Sequence, residues 1–288
     1  MITINTSEIA ALVGKNPYKN AEEAIQDLIN RNRGAMSVAD QKSRDICKNN
    51  AGVDRLCRKM VAKARSTNST LEVATVKQNY HEGVDKLKAT EVKKITASSV
   101  ARQREIDTVT DTKMGLARTR GAKRDIELQR ETLVSEEKER LATLTRKTET
   151  DMEHMKEVGN RHTNTQFGTR HEDSVADMFH AQTGNTIVKD NARQTWEFMD
   201  GFLIVGRFDG FTDTGTLVEI KNRMNRLFLK VPEYERVQVH VYMQLAEVEE
   251  AIVIERFGKA IAIHEMKRDE KFMGEIMDGL RDICTTKF

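Results

Sequence analysis

The sequence predicts an α/β fold, a mixed sheet flanked by helices, interrupted by a long helical insertion. Residues 161–288 alternate between helical and strand-like apolar spacing, which is typical of helices packed on a sheet. Residues 34–160 contain no proline, a single aromatic residue (Tyr80), and apolar residues spaced three or four positions apart. This spacing is typical of narrow-striped helices that pair as in a coiled coil. We therefore expect residues 1–33 and 161–288 to form the main domain and residues 34–160 an inserted helical arm.

Composition places few limits on function. The 288 residues contain 47 Lys and Arg against 45 Asp and Glu, a formal net charge of +2, so any nucleic-acid surface must come from local clustering. The three cysteines have no CxxC spacing, which predicts reduced thiols and a cytoplasmic location, the host cytoplasm if the protein is viral. No apolar run is long enough to span a bilayer, and we expect no membrane partner.

The elements follow from local patterns. Ser7 is placed to cap a first helix over 8–13, and a capping box at Asn20 opens a second helix that reaches about Arg31. In the insertion the chain is expected to reverse near Met114-Gly115 or Gly121. The apolar stripe of the insertion comprises Val73, Val76, Tyr80, Val84 and Leu87, then Leu141, Leu144, Met152 and Met155. In the last segment, helices are predicted over 170–182, 233–247 and 269–284, and strands over 186–189, 197–205, 206–211, 216–221, 251–255 and 260–265.

The stretch GRFDGFTDTGTLVEIKNR, residues 206–223, combines these strands with unusual chemistry. It predicts a β-hairpin in which 203–205 leads to Asp209 and 217–221 returns after a polar turn. Side chains alternate along a strand, so Glu219 and Lys221 share one face, and Asp209 can meet them at one edge. Two converging carboxylates suit Mg²⁺, and a lysine can then orient or activate water for attack on phosphorus. The alternative is an ordinary cross-strand ion pair.

Two helices carry further candidate residues. Glu172 falls on the same helical stripe as Val175 and Phe179, which predicts that it faces the sheet; the alternative is a capping box with Thr169. Gln238 and Tyr242 are four residues apart, so they share a helix face above the lysine strand, where a partly buried polar face is the alternative. The basic side chains expected to contact a phosphate backbone are Arg223, Arg226, Lys230 and Arg236. No zinc-binding HxxxH or HExxH spacing, glycine-rich nucleotide loop or Gly-x-Ser-x-Gly elbow occurs.

The order helix-Glu, Asp-Gly, Glu-x-Lys, Gln-x-x-x-Tyr resembles the PD-(D/E)xK nuclease superfamily. More closely, it is similar to the YqaJ-like viral recombinases typified by phage lambda exonuclease. FGTRHEDSVADMFHAQTG matches the core helix of that family and assigns its glutamate to Glu172. RFDG and VEIK assign metal ligands to Asp209 and Glu219, the catalytic lysine to Lys221, and a backbone carbonyl ligand to Ile220. TSEIAALVGKNPYKN is similar to the opening motif of the family, which makes Ser7 and Lys15 candidate phosphate contacts.

The resemblance covers about 4–33 and 161–265. It implies a restriction-endonuclease-like sheet and a Mg²⁺-dependent deoxyribonuclease, with Mn²⁺ as an alternative ion. The implied reaction is exonucleolytic degradation of double-stranded DNA from the 5′ end for viral recombination. A single-strand annealing protein is the implied partner and a homo-oligomer of three subunits the implied assembly. Residues 34–160 have no counterpart in the family, and the glutamine after Tyr234 is displaced by one position.

Two alternatives stay open. The first is a structure-specific or Cas4-like endonuclease of the same superfamily, which a preference for ends over closed circles would separate from an exonuclease. The second is a coiled-coil structural or regulatory protein with an inactive nuclease domain. The complete set of Asp209, Glu219 and Lys221 argues against it, because a buried charge cluster costs stability.

Overall fold

The computed structural model describes residues 1–67, 69–170, 172–190 and 192–288. It has the predicted α/β class, with helices flanking mixed sheets and a long helical insertion. In chain order the described elements are β1 Ile2–Asn5, α1 Thr6–Leu12, α2 Ala21–Asn32, α3 Val38–Asn49, α4 Ala51–Ala64, α5 Thr70–Leu116, α6 Arg120–Arg170, α7 Glu172–Thr183, β2 Ile187–Lys189, β3 Gln194–Met199, β4 Phe202–Gly206, β5 Gly210–Thr212, β6 Leu217–Asn222, α8 Glu233–Ala246, β7 Glu250–Phe257, β8 Ala260–Lys267 and α9 Glu270–Lys287. None of these helices combines the length and apolar composition needed to cross a bilayer.

The described chain divides into two compact units. The first comprises Met1–Arg44, Thr67–Val73 and Asn164–Phe288, and the second comprises Asp45–Ser66 and Ala74–Thr163. The first unit thus extends to Arg44, beyond the domain limit expected at residue 33. The limit expected at residue 160 falls inside α6, because the helix continues without a break to Arg170.

The strands of the first unit form two mixed sheets in the described residues, ordered β1-β4-β3 and β2-β5-β6-β7-β8. The single strand predicted over 197–205 is wrong: the chain forms a β3–β4 hairpin with its turn at Asp200-Gly201. Gly201 has φ 80°, a left-handed conformation that reverses the chain. As a result, residues 203–205 belong to β4, which pairs with β1. The strand of the predicted hairpin that pairs with β6 is the short strand β5.

Strand β6 lies inside the larger sheet, between β5 and β7, and both of its faces are covered. Val218 and Ile220 pack with Val175 and Phe179 of α7 on one face. Leu217 packs with residues of α8, including Met243, on the other. Because side chains alternate, Glu219 and Lys221 lie on the α8 face, with apolar neighbours on either side.

The second unit is built on an antiparallel pair of long helices, α5 and α6, with the reversal between Leu116 and Arg120. The predicted apolar stripe is largely buried at Tyr80, Val84, Met152 and Met155. The Tyr80 hydroxyl donates to the Met155 carbonyl at 3.1 Å. Helix α4 packs on the same stripe through side chains that include Val53 and Met60, so this part of the arm has a small core that the expected two-helix hairpin would lack.

Candidate active site

Asp209, immediately before β5, is held in place by a backbone contact. The last β5–β6 pair is Gly210 with Val218, so β5 offers no backbone partner to Ile220. Instead the Ile220 N–H donates to Asp209 Oδ2 at 2.6 Å. The Asp-Gly sequence has a steric reason, because a Cβ at Gly210 would lie 2.3 Å from the Val188 carbonyl oxygen. Only glycine lets β2 approach this closely, and the aspartate is positioned as a consequence.

A hydrogen-bonded chain starts at Glu219 and runs across the α8 face. Lys221 Nζ donates to Glu219 Oε1 at 2.6 Å and to Gln238 Oε1 at 3.0 Å. The Gln238 amide donates in turn to the Tyr242 hydroxyl at 2.9 Å. The Tyr242 hydroxyl also has the Thr6 side chain as a hydrogen-bond partner, which connects the chain to α1. The structure therefore brings Glu219, Lys221, Gln238 and Tyr242 together as the spacing predicts.

Burial sets the protonation of this cluster. Burial, together with the charge of Glu172, raises the pKa of Asp209 to about 6, although the Ile220 N–H opposes the shift. Burial and the charge of Asp209 raise the pKa of Glu219 to about 7, against the opposing effect of Lys221. Burial alone would lower the pKa of Lys221, but the charges of Glu219 and Glu235 outweigh it and raise that pKa above its ordinary value. Lys221 is thus an ammonium group at neutral pH.

Glu172 begins α7 and is partly buried. Its effect on the pKa of Asp209 means that the two carboxyl groups lie within electrostatic reach of each other. The capping box proposed for Thr169 and Glu172 involves a Thr169 side chain that lies outside the described residues, as does His171.

The donor set fits a hard divalent cation. Among the described residues, no three His, Cys, Asp or Glu side chains form a complete metal site. Asp209 and Glu219 nevertheless supply oxygen donors in a desolvated pocket, where an added positive charge would favour their ionised forms. The N–H and C=O of one strand residue point to the same edge, so the Ile220 carbonyl is expected to face Asp209. A complete coordination shell would need further oxygen ligands, from Glu172, water or substrate.

Four of the predicted phosphate-binding residues line two clefts. Ser7 lines a cleft of about 420 Å³ beside Tyr242. Lys15, Arg226 and Lys230 line a second cleft of about 550 Å³. Lys15 Nζ also donates to Glu233 at 2.8 Å, and the Arg236 guanidinium lies 4.6 Å from the centre of the Phe272 ring.

Arg223 occupies a different environment from the one predicted. It is 9% exposed and binds two buried carboxylates, Glu235 at 2.5 and 2.8 Å and Glu255 at 3.0 Å. His264 Nε2 lies 2.8 Å from the other Glu255 oxygen, and the Phe228 ring stacks on the guanidinium with its centre 4.1 Å away. The structure thus places Arg223 among internal carboxylates, and its contact with DNA stays a prediction.

Sequence reasoning missed Arg193 and Arg207, which line the same cleft as Ser7 and Tyr242. Arg207 lies in the RFDG stretch, two residues before Asp209, and could have been noticed there. Arg193 offers no such signal, because only the fold brings the start of β3 to this cleft.

No protein-family model and no curated protein matches the chain. Among solved structures, the protein SSO0001 is 19% identical with a TM-score of 0.33, over 43% of this chain and 60% of that protein. A phage-related exonuclease from Haemophilus somnus 129PT is 14% identical with a TM-score of 0.34, over 42% of this chain and 68% of the exonuclease. The chain thus spans about 60% of the length of SSO0001.

Proposed function

We propose that this protein is a divalent-metal-dependent deoxyribonuclease, with Mg²⁺ as the natural ion and Mn²⁺ as an alternative. The observation that carries the proposal is the position of Lys221 Nζ, held between Glu219 and Gln238 on the strand next to Asp209. An ammonium group beside two desolvated carboxylates suits the hydrolysis of an anionic phosphodiester by water. Asp209, Glu219 and the Ile220 carbonyl would hold the cation, assisted by Glu172.

Each side chain has a separate task in this proposal. Lys221 is protonated and therefore donates hydrogen bonds, so it orients the attacking water or a phosphate oxygen and does not remove a proton. Gln238 fixes the lysine through its amide oxygen, and Tyr242 fixes Gln238. When bound by the carboxylates, the cation would lower the pKa of water and stabilise the charge that develops on the phosphate oxygens.

The substrate proposed is double-stranded DNA, digested from its ends with 5′ to 3′ polarity. This finer assignment follows the resemblance of the RFDG, VEIK and N-terminal motifs to the viral recombinase family. A single-strand annealing protein as partner, a role in recombination, a homo-oligomeric assembly and a cytoplasmic location belong to the same proposal.

The test is incubation of the purified chain with linear and covalently closed circular duplexes of identical sequence. Each substrate is offered with Mg²⁺, with Mn²⁺ and with EDTA, and the linear duplex with and without a 5′ phosphate. We expect metal-dependent shortening of the linear DNA and intact circles. Cleavage of circles at a comparable rate would replace the exonuclease by an endonuclease, and no cleavage of any substrate would support an inactive nuclease domain.

A further inference from the structure

The part of the α5–α6 pair next to its loop exposes apolar side chains in a groove. This distal groove has a volume of about 310 Å³, and its lining includes Ile106, Val109, Ile126 and Leu133. Both Val109 and Leu133 line the groove, yet Val109 is 48% exposed and Leu133 is 44% exposed. We propose that a second copy of the chain packs on the distal groove, two-fold related and with each helix antiparallel to its counterpart.

The register of the pair fixes where the two-fold axis would cross. Arg130 pairs with Asp107 at 2.7 Å, and Arg102 pairs with Glu137 at 3.4 Å, so residue numbers fall along α5 as they rise along α6. Val109 therefore lies level with about Gln129 on the neighbouring helix. A two-fold axis that crosses both helices at right angles at this level would pass over Val109 on α5 and over the region of Gln129 on α6. It would therefore divide the groove at its midpoint on both helices.

Helix α5 is self-complementary about that axis. Val109 would meet the partner's Val109, and positions four residues to either side would face each other. Those positions are Glu105 and Lys113, which both line the groove and carry opposite charges. Each is exposed, and no ion pair joins either to another described residue. Two Glu105–Lys113 pairs would thus flank the central valines across the interface.

Helix α6 shows the same complementarity independently. With the axis between Gln129 and Arg130, Ile126 would face the partner's Leu133, so apolar side chains meet apolar side chains. The apolar side chains of α6 and the charged side chains of α5 are therefore complementary about one axis, which favours a second copy of the chain over another partner.

The test is charge reversal in the full chain, with mass measured by sedimentation equilibrium between about 1 and 100 μM. We expect the wild type to reach twice the chain mass of 32.8 kDa. Glu105→Lys or Lys113→Glu alone places like charges opposite each other twice and should weaken dimerisation about tenfold or more. The double variant Glu105→Lys/Lys113→Glu restores opposite charges and should dimerise within about threefold of the wild type.

The matched control is Glu131→Lys, the same charge change at an exposed site of α6 that points away from the groove. It should dimerise as the wild type does, and circular dichroism should show equal helix content in all variants. A monomeric wild type at the highest concentration, a trimer, or a dimer that single reversals leave intact would overturn the proposal. Failure of the double variant to regain the dimer would also overturn it, because the pairing of these two charges is its central claim.

Discussion

Lys221 illustrates how burial and charge compete at one residue. Taken alone, desolvation disfavours the ammonium form, yet two nearby carboxylates keep the group charged. A charged lysine in a pocket with hydrogen bonds to Glu219 and Gln238 has little rotational freedom. Its two acceptors therefore aim the remaining N–H donor, which is the property needed to place a water or a phosphate oxygen.

We predict that Lys221→Ala removes nearly all cleavage and leaves the fold intact. The ammonium group orients the reacting oxygen, so its loss should reduce the rate of DNA hydrolysis by about 10²-fold or more. Rates on linear duplex and the circular dichroism spectrum would be compared with those of Lys259→Ala, an exposed lysine in the β7–β8 turn. Cleavage by the Lys221 variant at the wild-type rate would remove the active-site assignment.

A second residue-scale prediction concerns Arg223. Replacing it by alanine leaves the buried carboxylates of Glu235 and Glu255 without their guanidinium partner. Removing one partner of a buried ion pair typically costs about 3–5 kcal/mol, so we expect a loss of this size in the free energy of unfolding, measured in urea. Arg226→Ala, at an exposed neighbouring position, should change it by less than about 0.5 kcal/mol. Equal effects of the two substitutions would contradict the structural role.

At the residue scale, alternation along β6 was enough to place Glu219 and Lys221 on one face. It could not foresee that Arg223 is buried. Arg223 follows Lys221 by two residues, so alternation predicts that it lies on the same face, and its positive charge is suited to binding DNA. Arg223 is buried because it binds Glu235 of α8 and Glu255 of β7, which are distant in sequence. The sequence therefore predicted that Arg223 binds an anionic group, but it could not show whether that group is a DNA phosphate or a carboxylate of the protein itself.

At the scale of elements, the helices and most strands were predictable because their apolar spacing is regular. The β3–β4 hairpin was missed because only Asp200 and Gly201 separate the apolar end of β3 from the apolar strand β4, so the sequence resembles one continuous strand. The packing of α4 on α5 was missed for a different reason. Its contacts use close approaches, such as Gly83 against Leu56, where an added Cβ would lie 2.8 Å from the leucine methyl groups. Such fits depend on the shapes of two distant segments.

The second unit should be dispensable for folding of the first. The apolar clusters of the first unit are formed from its own residues, among them Ile4, Val218 and Ile276. We predict that replacing 45–163 by a flexible Gly/Ser linker leaves a soluble protein that unfolds cooperatively. A lower melting temperature is expected, because the deletion also removes Thr67–Val73, which pack in the first unit.

The measurement is thermal unfolding together with DNA cleavage and sedimentation. The shortened chain should retain cleavage and lose the dimer assigned to the distal groove. An insoluble product, or one with no cooperative transition, would mean that the first unit needs the second unit to fold.

At the scale of the whole molecule, the candidate site joins segments that are far apart in sequence. Hydrogen bonds connect Thr6 of α1, Tyr242 of α8 and, through Gln238, Lys221 of β6 within the first unit, although the second unit is inserted between α1 and the other two elements along the chain. A site of this kind forms only when the sheet and its helices are folded. Occupation of the site by a ligand should therefore stabilise the entire first unit.

This linkage gives the last prediction. At pH 8, above the pKa values of about 6 and 7 for Asp209 and Glu219, both carboxylates are ionised and ready to bind a cation. Because the ion binds the native state only, Mg²⁺ at about 100 times its dissociation constant should add about 2.7 kcal/mol to the free energy of unfolding. Asp209→Asn removes one ligand and should abolish most of this gain, measured as the rise in melting temperature between EDTA and Mg²⁺ at constant ionic strength. Asp200→Asn, in the β3–β4 turn, makes the same chemical change away from the site and should retain the full rise. Equal rises in the two variants would show that the ion binds elsewhere, and the metal site would then have to be reassigned even if the chain cleaves DNA.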